Sequence, residues 1–234
     1  MGSDPVSPPS VPPSPGSSSG LGASAITLVI GDARLDVDAV VFDFDGVLAD
    51  SVGSSDRTWR VWAERLGLDP DAVAAEAHGR SAWASTVAWI PEAEVPAAFA
   101  LIGELELGDA GTVRSIPGAV RLTAELPPDR WGIVTSATRA LFEARSAVAG
   151  IAHPSLVITA DDVRTSKPNP EGYATAIRSL GVDPARVVVF EDTASGIAAA
   201  RAAGVGHVVR VGPGEPAHGE DLVVPHLEPV HRLR

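Results

Sequence analysis

Residues 39–51, AVVFDFDGVLADS, constrain the fold of this chain more than any other stretch. The apolar run 39–42 has the composition of a strand buried on both faces. It stops abruptly at Asp43 and Asp45, where Gly46 lets the chain turn. The carboxyl end of such a strand is where open α/β sheets place their ligand crevice. Two carboxylates crowded there repel each other unless a cation or a shared proton intervenes, so the stretch asks for a metal. Taken alone, Asp-x-Asp-Gly also reads as an acidic turn, because Asp-Gly is common turn chemistry.

The pattern around this strand sorts the rest of the chain. Segments 26–30 and 34–37 flank Gly31-Asp32-Ala33 and predict a hairpin added at the edge of the core. After Ser51 the spacing turns helical: Trp59, Trp62, Ala63 and Leu66 share one face, stopped by Gly67. Segments 71–77, 81–90 and 95–107 predict three more helices broken by Gly79, Pro91 and Gly108. From 119 onward helices and strands alternate, with strands at 131–135, 156–159, 187–190 and 208–211 and a late edge strand at 222–225. Helices fall at 119–126, 138–149 and 195–203, with another where Tyr173, Ala176, Ile177 and Leu180 share a face. Alternation of this kind implies right-handed crossovers and a doubly wound α/β core with a parallel sheet. Residues 1–24, rich in Pro, Ser and Gly, predict a disordered tail. The core is then 25–51 plus 117–234, with a small α-helical insertion at 52–116.

Three further polar clusters fall at the strand ends and loops of this series: Thr135-Ser136, Lys167-Pro168 and Glu191-Asp192. Phosphoryl transfer from a monoester needs an in-line nucleophile, an acid for the leaving alkoxide and positive charge on the equatorial oxygens. An aspartate can be that nucleophile through an acyl phosphate, and Lys167, the only lysine in the chain, can bring the charge. Plainer readings stand beside these. A serine at a helix start caps it, acids before a helix suit its positive end, and a loop lysine is ordinarily solvated.

In their order, the four clusters resemble the four motifs of the haloacid dehalogenase (HAD) superfamily. Within it, DFDGVLADS, SKPNPEGY and VVFEDTASGIAAARAAG resemble the small sugar-phosphate and polyol-phosphate phosphatases, relatives of β-phosphoglucomutase. The resemblance spans nearly all of 39–212. It implies Asp43 as the nucleophile and Asp45 as the group that protonates the leaving oxygen and then activates water. Ser136, with Thr135 as the adjacent alternative, and the Ala137 amide would bind the phosphate beside Lys167. The cofactor it implies is Mg²⁺, held by the Asp43 side chain, the Asp45 carbonyl and Asp192, with Glu191 joining directly or through a water. It identifies the insertion as a mobile cap, in which His78-Gly79-Arg80 resembles a segment of glycerol and deoxysugar phosphatases. Arg80 and His78 would then contact the organic part of the substrate, while Trp59 and Trp62 form cap core. The expected activity is hydrolysis of a small phosphorylated sugar or polyol. A phosphomutase is the alternative, weakened because those mutases carry a histidine early in the first cap helix where this chain has Ser54, Ser55 and Asp56. Dehalogenases of the superfamily lack the second aspartate, and a protein that only bound phosphate would need no acid pair.

Composition narrows the partners. A formal charge of −12 disfavours nucleic acid and anionic membranes, and no apolar run reaches the ~20 residues that span a bilayer. The absence of cysteine excludes disulfides and thiolate chemistry and fits the cytoplasm. An acidic enzyme of this size with a closing cap can work as a monomer.

Overall fold

The computed structural model describes residues 26–233; the segment expected to be a disordered tail lies outside the described residues. The chain opens with a hairpin of β1 (Ile26–Ile30) and β2 (Ala33–Val37), then enters the main sheet as β3 (Ala39–Phe42). A short strand β4 (Ala49–Asp50) leads to four helices, α1 (Val52–Arg65), α2 (Pro70–Ala77), α3 (Ala82–Trp89) and α4 (Val95–Asp109). The chain returns as β5 (Arg114–Ser115), antiparallel to β4. It continues through α5 (Ala119–Glu125), β6 (Trp131–Val134), α6 (Arg139–Ala149) and β7 (Leu156–Ile158). Next come α7 (Glu171–Leu180), β8 (Val187–Glu191), α8 (Ala194–Ala202) and β9 (His207–Val211), and the chain closes with β10 (Leu222–Val224) and β11 (Val230–Leu233).

The six-stranded sheet runs β10-β9-β8-β3-β6-β7 with every neighbouring pair parallel, as the alternation of elements requires. Side chains alternate across it. Val40 and Phe42 join Ile133, Val188 and Phe190 on the face covered by α5 and α6, whereas Ala39 and Val41 join Val187, Val189 and Val208 on the face covered by α7 and α8. Phe42 stacks on Phe190 at 5.1 Å and meets Trp131 edge-on at 6.0 Å, so the first strand is fixed from both sides. The chain moves from β3 to β6 and β7 on one side, then crosses to β8 on the other. The carboxyl ends of β3 and β8 thus flank a topological switch point.

Helices α1 to α4 bury a cluster of their own around Trp59, Trp62, Val73 and Ile102, and the Trp62 indole donates to the Ala98 carbonyl at 2.7 Å. Asp69 caps α2, which starts on Pro70, and Ser81 caps α3. The β4–β5 ribbon, where the chain leaves and rejoins the core, carries no pattern in its two-residue strands and was not expected.

One expectation needs correction. The hairpin does not lie on the edge of the core sheet: β1 is the centre of a separate antiparallel sheet, β11-β1-β2. Its third strand comes from the last residues of the chain, which carry no legible signal because a four-residue strand with one buried side chain becomes a strand only through its partner. That strand is anchored: Val230 has no exposed surface, and Arg232 donates to the Glu125 carbonyl at 2.6 Å. Ending the chain after Pro229 uncovers one side of β1 and is expected to lower stability by about 3 kcal/mol, read as a lower urea midpoint.

Candidate active site

The site is built around Glu191, the last residue of β8, which has no exposed surface. Its Oε1 accepts from Lys167 Nζ at 2.6 Å and from the Tyr173 hydroxyl at 2.9 Å. Its Oε2 accepts from the Asp192 amide at 2.9 Å and from the amide and hydroxyl of Thr193, each at 3.0 Å. Burial alone would raise the pKa of this carboxyl, but Lys167 and these donors hold it below the usual range. The Lys167 ammonium also donates to the Val134 carbonyl at 3.2 Å and lies 3.0 Å from Asp43 Oδ1. Burial opposes its charge, yet Asp43 and Glu191 outweigh burial and raise its pKa, so the lysine is a fixed cation. Thr193, rather than either acid, caps α8.

Asp43 follows β3 directly, its amide bonded to the Phe190 carbonyl at 2.9 Å. Asp43, Glu191 and Asp192 each present a carboxylate oxygen within 4.8 Å of the other two. Burial pushes Asp43 up to about 7, with Lys167 opposing and Glu191 and Asp45 adding to the rise. Asp192 is pushed up as well, by burial and then by Asp43 and Glu191. Asp43 Oδ1 and Asp192 Oδ1 are buried without a directed hydrogen bond among the described residues. Crowded carboxyls that resist ionisation, Asp192 Oδ1 without a partner among the described residues and Asp43 Oδ1 facing Lys167 alone, are what a hard divalent cation satisfies, so the residues present fit the expected metal. Gly46 makes the crowding possible: its φ is +81°, and a Cβ there would overlap the Asp192 carboxylate.

Asp43, Asp45, Lys167 and Asp192 all line one solvent-open cleft of about 100 Å³. Thr135, Ser136 and Ala137 line it too. Helix α6 begins two residues after Ala137, capped by Thr138, and the Ala137 amide donates to Thr135 Oγ1 at 3.0 Å. Ser136 remains half-buried in the wall. Glu191 lies beneath this surface rather than in it.

The helical insertion closes the cleft from above. His78 and Arg80 line its wall between α2 and α3, and Trp59, buried in the helical cluster, reaches it as well. Ser195 Oγ of the core donates to the Gly79 carbonyl at 2.8 Å, and Ser81 Oγ meets Ser166 Oγ at 3.2 Å. Arg80 pairs with Glu76 one turn back.

Sequence reasoning missed two charged residues in the same wall. Arg145 of α6 is 3% exposed and donates from Nη1 to Asp45 Oδ1 at 2.8 Å; Glu106 of α4 approaches Nη2 at 3.6 Å. The signal existed. Glu106 continues the buried stripe Val95, Ala98, Ile102, and Arg145 sits on the buried face of α6 with Leu141, Phe142 and Ala149. A charge on an apolar stripe needs a partner, and each of these supplies part of the other's.

A family model described as haloacid dehalogenase-like hydrolase matches residues 37–204. The chain belongs to that family. Among its HAD relatives, hexitol phosphatase A of Escherichia coli (strain K12) is 36% identical over 198 residues, 81% of this chain and 91% of that protein. Glycerol-1-phosphate phosphohydrolase 2 of Saccharomyces cerevisiae is 33% identical, over 73% of each chain. At the level of fold, CbbY from Rhodobacter sphaeroides in complex with phosphate superposes with a TM-score of 0.71 at 21% identity, over 82% of this chain and 95% of that one. β-Phosphoglucomutase from Clostridium difficile does so with a TM-score of 0.71 at 22% identity, over 82% and 92%. HAD enzymes generally use Mg²⁺, and an acidic cluster of Asp43, Glu191 and Asp192 is present here.

Burial pushes Glu106 up to about 7 from an ordinary 4.5, with Arg145 opposing and Asp45 adding to the rise. Between those values the native state holds a proton that the unfolded chain has released, so this group's contribution to stability is fully present at low pH and falls as pH rises through the window. Urea titrations of the wild type and of Glu106→Gln should diverge across it, the wild type losing roughly 1–3 kcal/mol that the variant retains.

Proposed function

We propose that the chain is a Mg²⁺-dependent phosphomonoesterase that hydrolyses small phosphorylated sugars or polyols through a phospho-aspartate on Asp43. The observation that carries this reading is Lys167, buried in the wall of the crevice between Glu191 and Asp43, with Asp192 in the same acidic cluster. Asp43 attacks phosphorus and Asp45 gives its proton to the departing alkoxide; Asp45 then takes a proton from the water that opens the acyl phosphate. Lys167 and the Ser136 hydroxyl meet the phosphoryl oxygens. Asp43, the Asp45 carbonyl and Asp192 would hold Mg²⁺, which when bound supplies positive charge for the ionised acids and the transferring group. Glu191 adds its charge to that cluster while its oxygens keep Lys167 in place.

Segment 52–116 serves as the mobile cap over a core of 25–51 and 117–234, supported by the separate cluster of α1 to α4 and by the β4–β5 ribbon as the crossing point. The substrate class follows the hexitol and glycerol phosphatase relatives, with Arg80 and His78 as the cap's contacts to the organic moiety. The mutase alternative is disfavoured because the cleft-lining residues of α1, Val52, Ser55 and Trp59, include no proton carrier. The enzyme acts on a small metabolite, as a monomer in the cytoplasm; no helix among the described residues is long and apolar enough to cross a membrane.

A panel of sugar, polyol and nucleotide monophosphates should give steady, Mg²⁺-dependent phosphate release that EDTA abolishes and Asp43→Asn lowers by at least about 10³-fold. Isomerised ester with little free phosphate would instead establish a mutase, and no turnover on any ester would leave only phosphate binding. Arg80→Ala should raise KM for the best polyol phosphate about tenfold with kcat nearly kept; unchanged constants would remove Arg80 from substrate binding.

A further inference from the structure

We propose that Arg145 is a positioning residue for Asp45 and that the cap shares in this through Glu106. The proposal rests on the phosphatase reading, because it concerns the step in which Asp45 gives its proton to the leaving oxygen as the bond from that oxygen to phosphorus breaks and the bond from Asp43 forms. Lys167 serves Asp43 and Glu191, whereas the partner of Asp45 is Arg145, 2.8 Å away. Asp45 stands at the turn before Gly46 with its side chain 28% exposed to the cleft, so its carboxylate is free to swing unless something fixes it. The guanidinium can fix it, being 3% exposed, walled in by the buried face of α6 and aimed at the cleft.

A buried cation of this kind contributes little net stability, because desolvation offsets the ion pair. Its placement is better explained by what it orients. Nη2 faces Glu106 at 3.6 Å, and neither Nη2 nor Nε has a hydrogen-bond acceptor among the described residues. Glu106 belongs to α4, the last helix of the insertion, while Arg145 and Asp45 belong to the core. One planar group thus spans core and cap, and the aim of the Asp45 carboxylate depends on where α4 sits.

The leaving group reads this out. An alkoxide is a strong base that must be protonated as it departs, whereas 4-nitrophenolate departs without help, so a misaimed acid harms only alkyl esters. The measurement is kcat/KM, which covers the steps up to alcohol departure, for the polyol phosphate best hydrolysed by the wild type, for propyl phosphate and for 4-nitrophenyl phosphate. Arg145→Met should lower the first two by about 10²-fold and the third by less than about fivefold. Arg145→Lys should recover part of the loss, and Glu106→Gln should show the same selectivity at smaller amplitude. Equal losses on all three esters would reduce Arg145 to a structural role and overturn the proposal. A loss confined to the polyol ester would overturn it too, in favour of direct contact between Arg145 and substrate hydroxyls. Glu106→Gln without effect would remove the cap from it. Should Arg145→Met fail to fold, the double variant Arg145→Met, Glu106→Leu removes both charges and is read in the same way. Wild-type protein inactive on every ester would fail the phosphatase reading itself, a separate outcome.

Discussion

Glu191 ends β8 with no exposed surface and accepts five hydrogen bonds, from Lys167, Tyr173, the Asp192 amide and both donors of Thr193. Taking a carboxylate and an ammonium out of water costs several kcal/mol each, and their attraction offsets this only where the remaining lone pairs are also satisfied. Here every donor is fixed by the fold. Two come from backbone amides just before α8, one from the Thr193 hydroxyl that caps it, one from a tyrosine on the buried face of α7, and one from a lysine on the loop before α7. The backbone of α8 must come close for this: a Cβ at Gly196 would fall inside the Glu191 carboxylate. The position of Lys167, and through it the charge beside Asp43, follows from that one buried anion.

The sheet order explains why these groups meet. β3 and β8 are neighbours though the helical insertion and two βα units separate them in sequence, and both end at the same edge because they are parallel. Asp43 and Asp192 are therefore brought together by topology, and each opposes the other's ionisation. The insertion meets this edge differently. It has its own apolar cluster, meets the core loops through hydrogen bonds such as Ser195 to Gly79, and sends Ala110 and Val113 into the main core.

Much of this was legible in the chain. A run of β-branched and aromatic residues ending in acids gave β3 with the bounds expected of it, and the alternation after residue 119 gave a parallel α/β core. The crevice residues Asp43, Asp45, Ser136, Lys167 and Asp192 were all nominated before any geometry, because their types match the needs of phosphoryl transfer and their order resembles a known family. The partners of those residues were not nominated. Tyr173 looked like one more member of an apolar face, and its hydroxyl acquires meaning only from the carboxylate 2.9 Å away. Glu106 and Arg145 are 39 residues apart on different helices, and no local pattern ties them to Asp45.

The sequence by itself determined the class of fold, the strand that carries the acids and the kinds of side chain available for chemistry, because periodicity and residue type are local properties that survive without coordinates. Only the tertiary structure decided that the terminal strand completes a separate sheet around β1, that Glu191 lies beneath the crevice gripping Lys167, and that Arg145 lies between Asp45 and Glu106 of α4. Those are pairings between distant segments, and a buried charge or an unpaired strand specifies that a partner must exist without specifying which one the packed chain will bring to it.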